Sequence, residues 1–110
     1  MSDGEPASSL YDVTYSARVR DALARLGREA VDRGDGRQFM TALLEFHRRL
    51  CIYPQFGDPL IDLRGAVGHL RLGVVAPLAM RYGVLEDLRS VIVAALPVLL
   101  MQTSPTDERD

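Results

Sequence analysis

The stretch from His69 to Leu96 constrains the fold most, because it predicts three consecutive strands joined by tight turns. In the first two strands apolar residues recur at every second position, as expected when a strand buries one face. These positions are Leu70, Leu72 and Val74, then Leu78, Met80, Tyr82 and Val84. The third run, residues 91–96, is apolar without alternation, which predicts a strand inside the sheet that is covered on both faces.

Such a sheet needs helices to cover it, and the preceding residues supply two. Ser16 is a suitable N-cap for a helix that starts at Ala17, and residues 34–36 (GDG) end it with a sharp reversal. A second helix follows over residues 37–52 and stops before Pro54. The apolar stripes at helical spacing are Val19, Leu23, Leu26 and Ala30, then Phe39, Leu43, Phe46 and Leu50, widened by Met40, Leu44 and Cys51. The short link predicts an antiparallel helical hairpin over residues 17–52.

Residues 10–15 alternate as a first strand, and the glycine- and proline-containing residues 55–68 are interpreted as a loop. The predicted fold is α+β with the order β-α-α-β-β-β, a helical hairpin on a mainly antiparallel four-stranded sheet. Its strands are residues 10–15, 70–75, 78–85 and 91–96. The expected core includes Leu23, Leu26, Phe39, Leu43, Phe46 and Val93. The apolar residues 98–101 either extend the last strand towards a partner or pack against the chain's own sheet.

With 110 residues the chain is expected to form one domain, residues 10–101, between disordered tails at 1–9 and 102–110. Both tails are mostly acidic, although the net charge is only −2. The acidic N-terminus does not resemble a signal peptide and no apolar run is long enough to span a bilayer, so a cytoplasmic protein without a membrane partner is expected. A single cysteine, Cys51, allows no internal disulfide, and with only two histidines neither a metal nor a cofactor is expected. His47 is interpreted as packing at the boundary of the core.

The element order, together with three groups of residues, resembles the toxins of the RelE/ParE superfamily of bacterial type II toxin–antitoxin modules, which serve in plasmid stabilisation. The first group is residues 11–16 (YDVTYS) with 22–26 (ALARL), which is similar to the family's opening strand and helix. The second is residues 53–60 (YPQFGDPL), which is similar to its loop after the helical hairpin. The third is the sheet pattern of 70–72 (LRL), 80–84 (MRYGV) and 91–93 (VIV).

The resemblance implies a toxin-like subunit that an antitoxin holds with extended and helical segments. Ribonuclease members cut mRNA in the ribosome without a metal, using basic residues on the sheet and after the last strand, whereas other members inhibit DNA gyrase. Such cleavage needs a general base, cations for the phosphorane charge and a general acid. The candidate catalytic residues are Arg71, Arg81, His69 and Tyr82. The chain departs from the nuclease pattern at Gly73 and Val75, where further cations would be expected, and has neither a cation nor an acid directly after residue 96.

The first expectation is therefore a toxin-like subunit that acts through protein binding or is catalytically degenerate. The first alternative is a metal-independent, ribosome-dependent mRNA endoribonuclease, and the second is a dimerising interaction module of the same fold. Candidate partners are an antitoxin, a second copy of the chain, and the ribosome with its mRNA or DNA gyrase as a target. One face of the sheet and residues 98–101 are expected to be left for another chain. The face occupied by Arg81 depends on the register between strands.

Overall fold

The computed structural model describes residues 10–63 and 68–100, in which two helices pack on one face of a mixed sheet. The chain order of the elements confirms the α+β class, but the sheet has six strands. The helices are α1 (Ala17–Asp32) and α2 (Gly36–Ile52). The strands are β1 (Asp12–Tyr15), β2 (Asp58–Leu63), β3 (Gly68–Val75), β4 (Leu78–Leu85), β5 (Ser90–Val93) and β6 (Val98–Leu99). The tails predicted for residues 1–9 and 102–110 lie outside the described residues.

The helical hairpin begins and ends where the sequence signals predict. The Ser16 hydroxyl accepts a hydrogen bond from the Val19 backbone N–H at 3.2 Å, which caps α1. Gly34 has a φ of 86°, a conformation that favours glycine, and it reverses the chain between the two helices. Helix α2 ends at Ile52, directly before the Tyr53–Pro54 pair. The prediction of a hairpin over residues 17–52 is confirmed.

The sheet has the spatial order β1-β5-β4-β3-β2, and β6 pairs with β4 beyond the end of β5. Strand β1 runs parallel to β5, whereas the other pairs are antiparallel. Strand β5 thus lies inside the sheet, as predicted from its β-branched residues. In the described part of the chain, no helix is both long enough and apolar enough to cross a bilayer.

The predicted loop over residues 55–68 is wrong for its first half. Pro54–Phe56 forms one turn of 3₁₀ helix, and Asp58–Leu63 forms β2, the edge strand beside β3. A proline in a run such as DPLIDL argues against a central strand, but at an edge Pro59 has a free side on which no N–H is needed. The sheet therefore gains one strand at this edge.

The prediction for residues 91–96 is wrong in its length and in its burial. Strand β5 ends at Val93, and a break precedes β6, which pairs with Leu78 and Ala79 of β4. Val91 and Val93 are fully buried, whereas Ile92 between them is 42% exposed, because helices cover only one face. Since Val98 and Leu99 complete the chain's own sheet, they are not an unpaired extension left for a partner strand.

The predicted buried face of β3 is also wrong. Arg71 lies directly opposite Tyr82, and Gly73 lies opposite Met80, so the face of β3 that carries Arg71 and Gly73 is turned towards the helices. The larger apolar side chains of β4 decide this orientation, because Met80, Tyr82 and Val84 are at most 1% exposed. Leu70, Leu72 and Val74 consequently lie on the open face, where Val74 is 44% exposed.

The core lies between the helical hairpin and the helix-facing side of β4 and β5. Of the residues predicted to be buried, Leu23, Phe39, Phe46 and Val93 are buried. Leu26 and Leu43 are only partly buried and pack at the margin of the core. Three aromatic rings fill the end of the core next to Pro54–Phe56: the Phe46 ring meets the rings of Phe56 and Tyr82 edge-on at 5.5 and 6.2 Å.

Candidate functional site

Tyr82, one of the four predicted catalytic residues, is a buried structural side chain. Its hydroxyl donates to the Pro54 carbonyl at 2.6 Å and accepts from the Gly57 backbone N–H at 3.1 Å. Burial raises the pKa of Tyr82 to about 12. Because the hydroxyl is engaged on both sides and its residue is 1% exposed, it is poorly placed to give a proton to a leaving group.

Arg71 holds the same turn from the neighbouring strand. Its Nη1 donates to the carbonyls of Gln55 at 3.2 Å and Gly57 at 2.6 Å. Its Nε atom is buried and has no hydrogen-bond partner among the described residues. Arg71 therefore binds the backbone of residues 55–57 through one of its two terminal nitrogens.

His69 lies at the end of β3 in a polar cluster that also contains Tyr11, Gln55 and Glu86. Its Nε2 is 3.8 Å from Glu86 Oε2, and the same carboxylate oxygen accepts from Gln55 Nε2 at 3.0 Å. Gln55 Nε2 also donates to the Tyr11 hydroxyl at 3.2 Å. The imidazole and the carboxylate are both partly exposed, at 36% and 47% of their side chains, so solvent can reach this pair.

Arg81 is separated from the other three candidates by the sheet itself. It is exposed and lies opposite Leu72, on the open face, whereas His69, Arg71 and Tyr82 share the helix-facing side. Among the described residues, three of the four candidates lie on the helix-facing side of the sheet: His69, Arg71, which binds backbone carbonyls, and the buried Tyr82. The fourth, Arg81, lies on the open face. Of the two arginines among these candidates, Arg71 binds backbone carbonyls and Arg81 lies on the other face, so neither is placed to support the His69–Glu86 pair.

The sequence does not indicate the polar cluster around His69. Its pattern predicts a loop at Gln55 and a turn between strands at Glu86. The two residues are 31 positions apart, and Gln55 and Tyr11 are 44 apart. The sequence shows only the polar type of each residue, which does not identify a contact partner.

A second polar cluster joins β1 to α2. The Tyr15 hydroxyl is 2.9 Å from His47 Nδ1, and the Cys51 sulfur is 3.5 Å from His47 Nε2. Burial, followed by the neighbouring Cys51, raises the pKa of Tyr15 to about 12, and burial also raises the pKa of the Cys51 thiol. A thiol with a raised pKa is a poor nucleophile, which argues against a catalytic role for Cys51. The contacts of His47 instead tie β1 to α2. Within residues 10–63 and 68–100, no three His, Cys, Asp or Glu side chains are grouped as metal ligands would be.

The outer side of the helical hairpin carries a groove between α1 and α2, here called the hairpin groove. Its floor contains Leu23, Gly27, Phe39 and Leu43, and its volume is about 550 Å³. Met40 and Val31 at its edge are 48% and 67% exposed, and Leu44 continues the apolar strip with 62% exposure. The wide apolar stripe of α2 indicates this surface in the sequence. The sheet covers only one side of a helix, so Met40 and Leu44 at the edge of the stripe stay exposed.

The open face of the sheet is a second surface that the described residues leave uncovered. It carries the apolar side chains of Leu70, Leu72, Val74 and Ile92 together with the exposed Arg81. No family model, curated protein or solved structure matches the chain, so a function for it rests on these two surfaces and on the contacts of Tyr82 and Arg71.

Proposed function

We propose that this chain is the toxin-like subunit of a type II toxin–antitoxin module of the RelE/ParE kind, and that it acts through protein contact. The observation that carries the proposal is the hairpin groove, an apolar depression about 550 Å³ in volume with Met40 and Leu44 exposed beside it. Exposed apolar side chains around a groove of this size are typical of protein interaction sites. The helical hairpin and the family-like sequence stretches agree with the proposal.

The groove suits an amphipathic helix with acidic residues along one side. An apolar helix face would cover Leu23 and Leu43 on the floor and bury Met40 and Leu44. Along α1 the groove is lined by Arg28 and Asp32, and Arg20 lies beside Leu44, where the apolar strip continues. Counted along the groove and this strip, two cations against one acid favour an acidic partner segment.

A metal-independent ribonuclease is the second candidate function, and the His69–Glu86 contact at 3.8 Å is the observation that favours it. Against it stand the engaged hydroxyl of Tyr82 and the bonds of Arg71 to two carbonyls. A ribonuclease would need to break the contacts that hold residues 54–57 in order to free its phosphate-binding cation. Protein contact requires no such rearrangement.

The first test replaces Met40 or Leu44 with glutamate and measures binding of the small acidic antitoxin that the proposal requires, sought in the adjacent reading frames. Binding is measured by co-expression and purification followed by calorimetry. Each change places an unpaired carboxylate in the contact, and we expect it to weaken binding by about 10- to 100-fold. Thr41→Glu is the matched control, because Thr41 is exposed on the other side of α2. The wild type should also arrest bacterial growth, and the acidic protein should relieve that arrest.

Equal binding by Met40→Glu, Leu44→Glu and Thr41→Glu would exclude the hairpin groove as the contact surface. An adjacent protein that neither binds the wild type nor changes growth on co-expression would contradict the module itself.

A further inference from the structure

On the open face of the sheet, an apolar residue lies between a negative charge on one side and a positive charge on the other. Asp58 of β2 is paired with Leu72 of β3, and Leu72 is paired with Arg81 of β4. Directly paired residues in antiparallel strands lie on the same face, so these three form one line across the sheet, here called the charged row. Asp58 and Arg81 are both exposed, and neither makes an ion pair among the described residues.

The charged row crosses an apolar strip that follows β3. Leu70 and Leu72 are half-buried on this face, and Val74 is 44% exposed. Gly83, which lies opposite Leu70, adds no side chain, so the strip is accessible from the side of β4. The surface therefore combines an apolar centre with two charges that form no ion pair within the described residues.

We propose that a second copy of this chain binds the open sheet face, with the two β3 strands stacked across a two-fold axis that runs parallel to them. Such an axis exchanges the strands that flank β3, so β4 of one copy lies over β2 of the other. Arg81 then faces the partner's Asp58, and Leu72 faces its own counterpart. Stacked sheets lie about 10 Å apart with side chains interleaved, a separation that an arginine and an aspartate reaching towards each other can bridge.

The order of the charged row selects a second copy as the occupant. A row that reads negative, apolar, positive is complementary to itself when reversed, which is the operation of this two-fold axis. Each dimer would contain the Asp58–Arg81 pair twice, on both sides of Leu70, Leu72 and Val74. The hairpin groove lies on the opposite side of the molecule, so the dimer does not depend on the proposed toxin function and leaves the groove open.

Sedimentation equilibrium of the full chain at several concentrations tests the dimer. We expect the wild type to dimerise and each single reversal, Asp58→Arg or Arg81→Asp, to raise the dissociation constant about 10- to 100-fold, because like charges then face each other twice. The double variant Asp58→Arg with Arg81→Asp restores both pairs in reverse and should return to within about threefold of wild type. Arg25→Asp on the exposed side of α1 makes the same charge change away from this face and should dimerise as wild type.

A wild type that stays monomeric at the highest concentration would overturn the proposal, and so would a double variant no better than the single ones. Both side chains are exposed, so circular dichroism should show all four variants folded. Retained binding of the acidic partner by a monomeric variant would show that the hairpin groove works independently of the dimer. The two proposals can therefore fail separately.

Discussion

Gly73→Lys is expected to destabilise the protein strongly rather than to supply the cation that the resemblance to ribonuclease members of the RelE/ParE superfamily would place near this position. A Cβ atom on Gly73 would lie 2.8 Å from Phe56 Cζ, 2.9 Å from Phe46 Cζ and 3.0 Å from Tyr82 Cε1. These rings pack against one another and cannot all withdraw, so the added atom forces a shift in the core. The ammonium group would in addition be driven into an apolar cluster.

Overpacking costs about 1–3 kcal/mol and burial of an unpaired cation several more, so the free energy of unfolding should fall by more than about 4 kcal/mol. That is a large part of the stability of a small domain, which is about 5–15 kcal/mol. Urea denaturation would measure the loss, and Gly73→Ala should show the overpacking part alone.

Gly83→Lys is the matched control, because a Cβ atom there has nothing closer than 3.9 Å. It should change the free energy of unfolding by less than about 1 kcal/mol, as surface substitutions usually do. A Gly73→Lys variant that folds with near wild-type stability would mean that the ring cluster does not occupy this side of β3.

Tyr82→Phe is expected to lower stability and to change its pH dependence. Without the hydroxyl, the buried Gly57 N–H and the Pro54 carbonyl each lose a hydrogen-bond partner, a loss of about 1–3 kcal/mol. The pKa of Tyr82 is raised by burial to about 12, from about 10 for an unhindered tyrosine. The neutral phenol is therefore the form that the folded state prefers.

The sign of the pH effect follows from these two pKa values. Below pH 10 the hydroxyl is protonated in both states, and its contribution to stability is complete. Between pH 10 and 12 the unfolded chain releases this proton while the folded chain retains it, so stability falls by about 1.4 kcal/mol per pH unit from Tyr82 alone. Tyr15, whose pKa is also raised to about 12, adds a loss of the same sign.

Urea denaturation at pH 8, 10, 11 and 12 would compare the variants. The chain contains no lysine, so few other groups change charge in this range. Tyr82→Phe should be less stable than wild type at pH 8, and the difference should shrink as the pH rises. Tyr53→Phe, at a residue that is 58% exposed, is the control and should follow the wild-type profile. A constant difference from pH 8 to 12 would contradict the assignment of Tyr82 as a buried neutral phenol.

The helical hairpin and strand β4 were predictable from sequence because their signals are local. Ser16 supplies a cap, Gly34 the reversal, and the apolar positions of β4 alternate without interruption between Leu78 and Val84. In β3 the same alternation indicated the wrong face. Leu70 and Leu72 are more apolar than Arg71 and Gly73, but the rings of Phe46, Phe56 and Tyr82 require the space above Gly73. That requirement comes from other elements and leaves no trace in the local pattern.

The candidate site was predictable only as a set of residue types. The sequence identified Arg71 and Tyr82 by residue type. It did not show that both side chains hydrogen-bond to the backbone of residues 54–57, because those bonds depend on the pairing of β3 with β4 and on a turn 14 or more positions away. The side of the sheet that carries Arg81 likewise required the register. Hydrogen bonds between distant segments decide whether a cation binds a ligand or holds a turn, and periodicity contains no information about them.

The central claim, that the chain acts by protein contact and not by RNA cleavage, is tested most directly by primer extension on mRNA from translating ribosomes. Wild type, Arg71→Ala and Arg81→Ala would be compared, with circular dichroism to establish that Arg71→Ala is folded. We expect no cuts above background for any of the three. Cuts at fixed codon positions by the wild type that disappear in a folded Arg71→Ala variant and persist in Arg81→Ala would contradict it and would make the chain an enzyme.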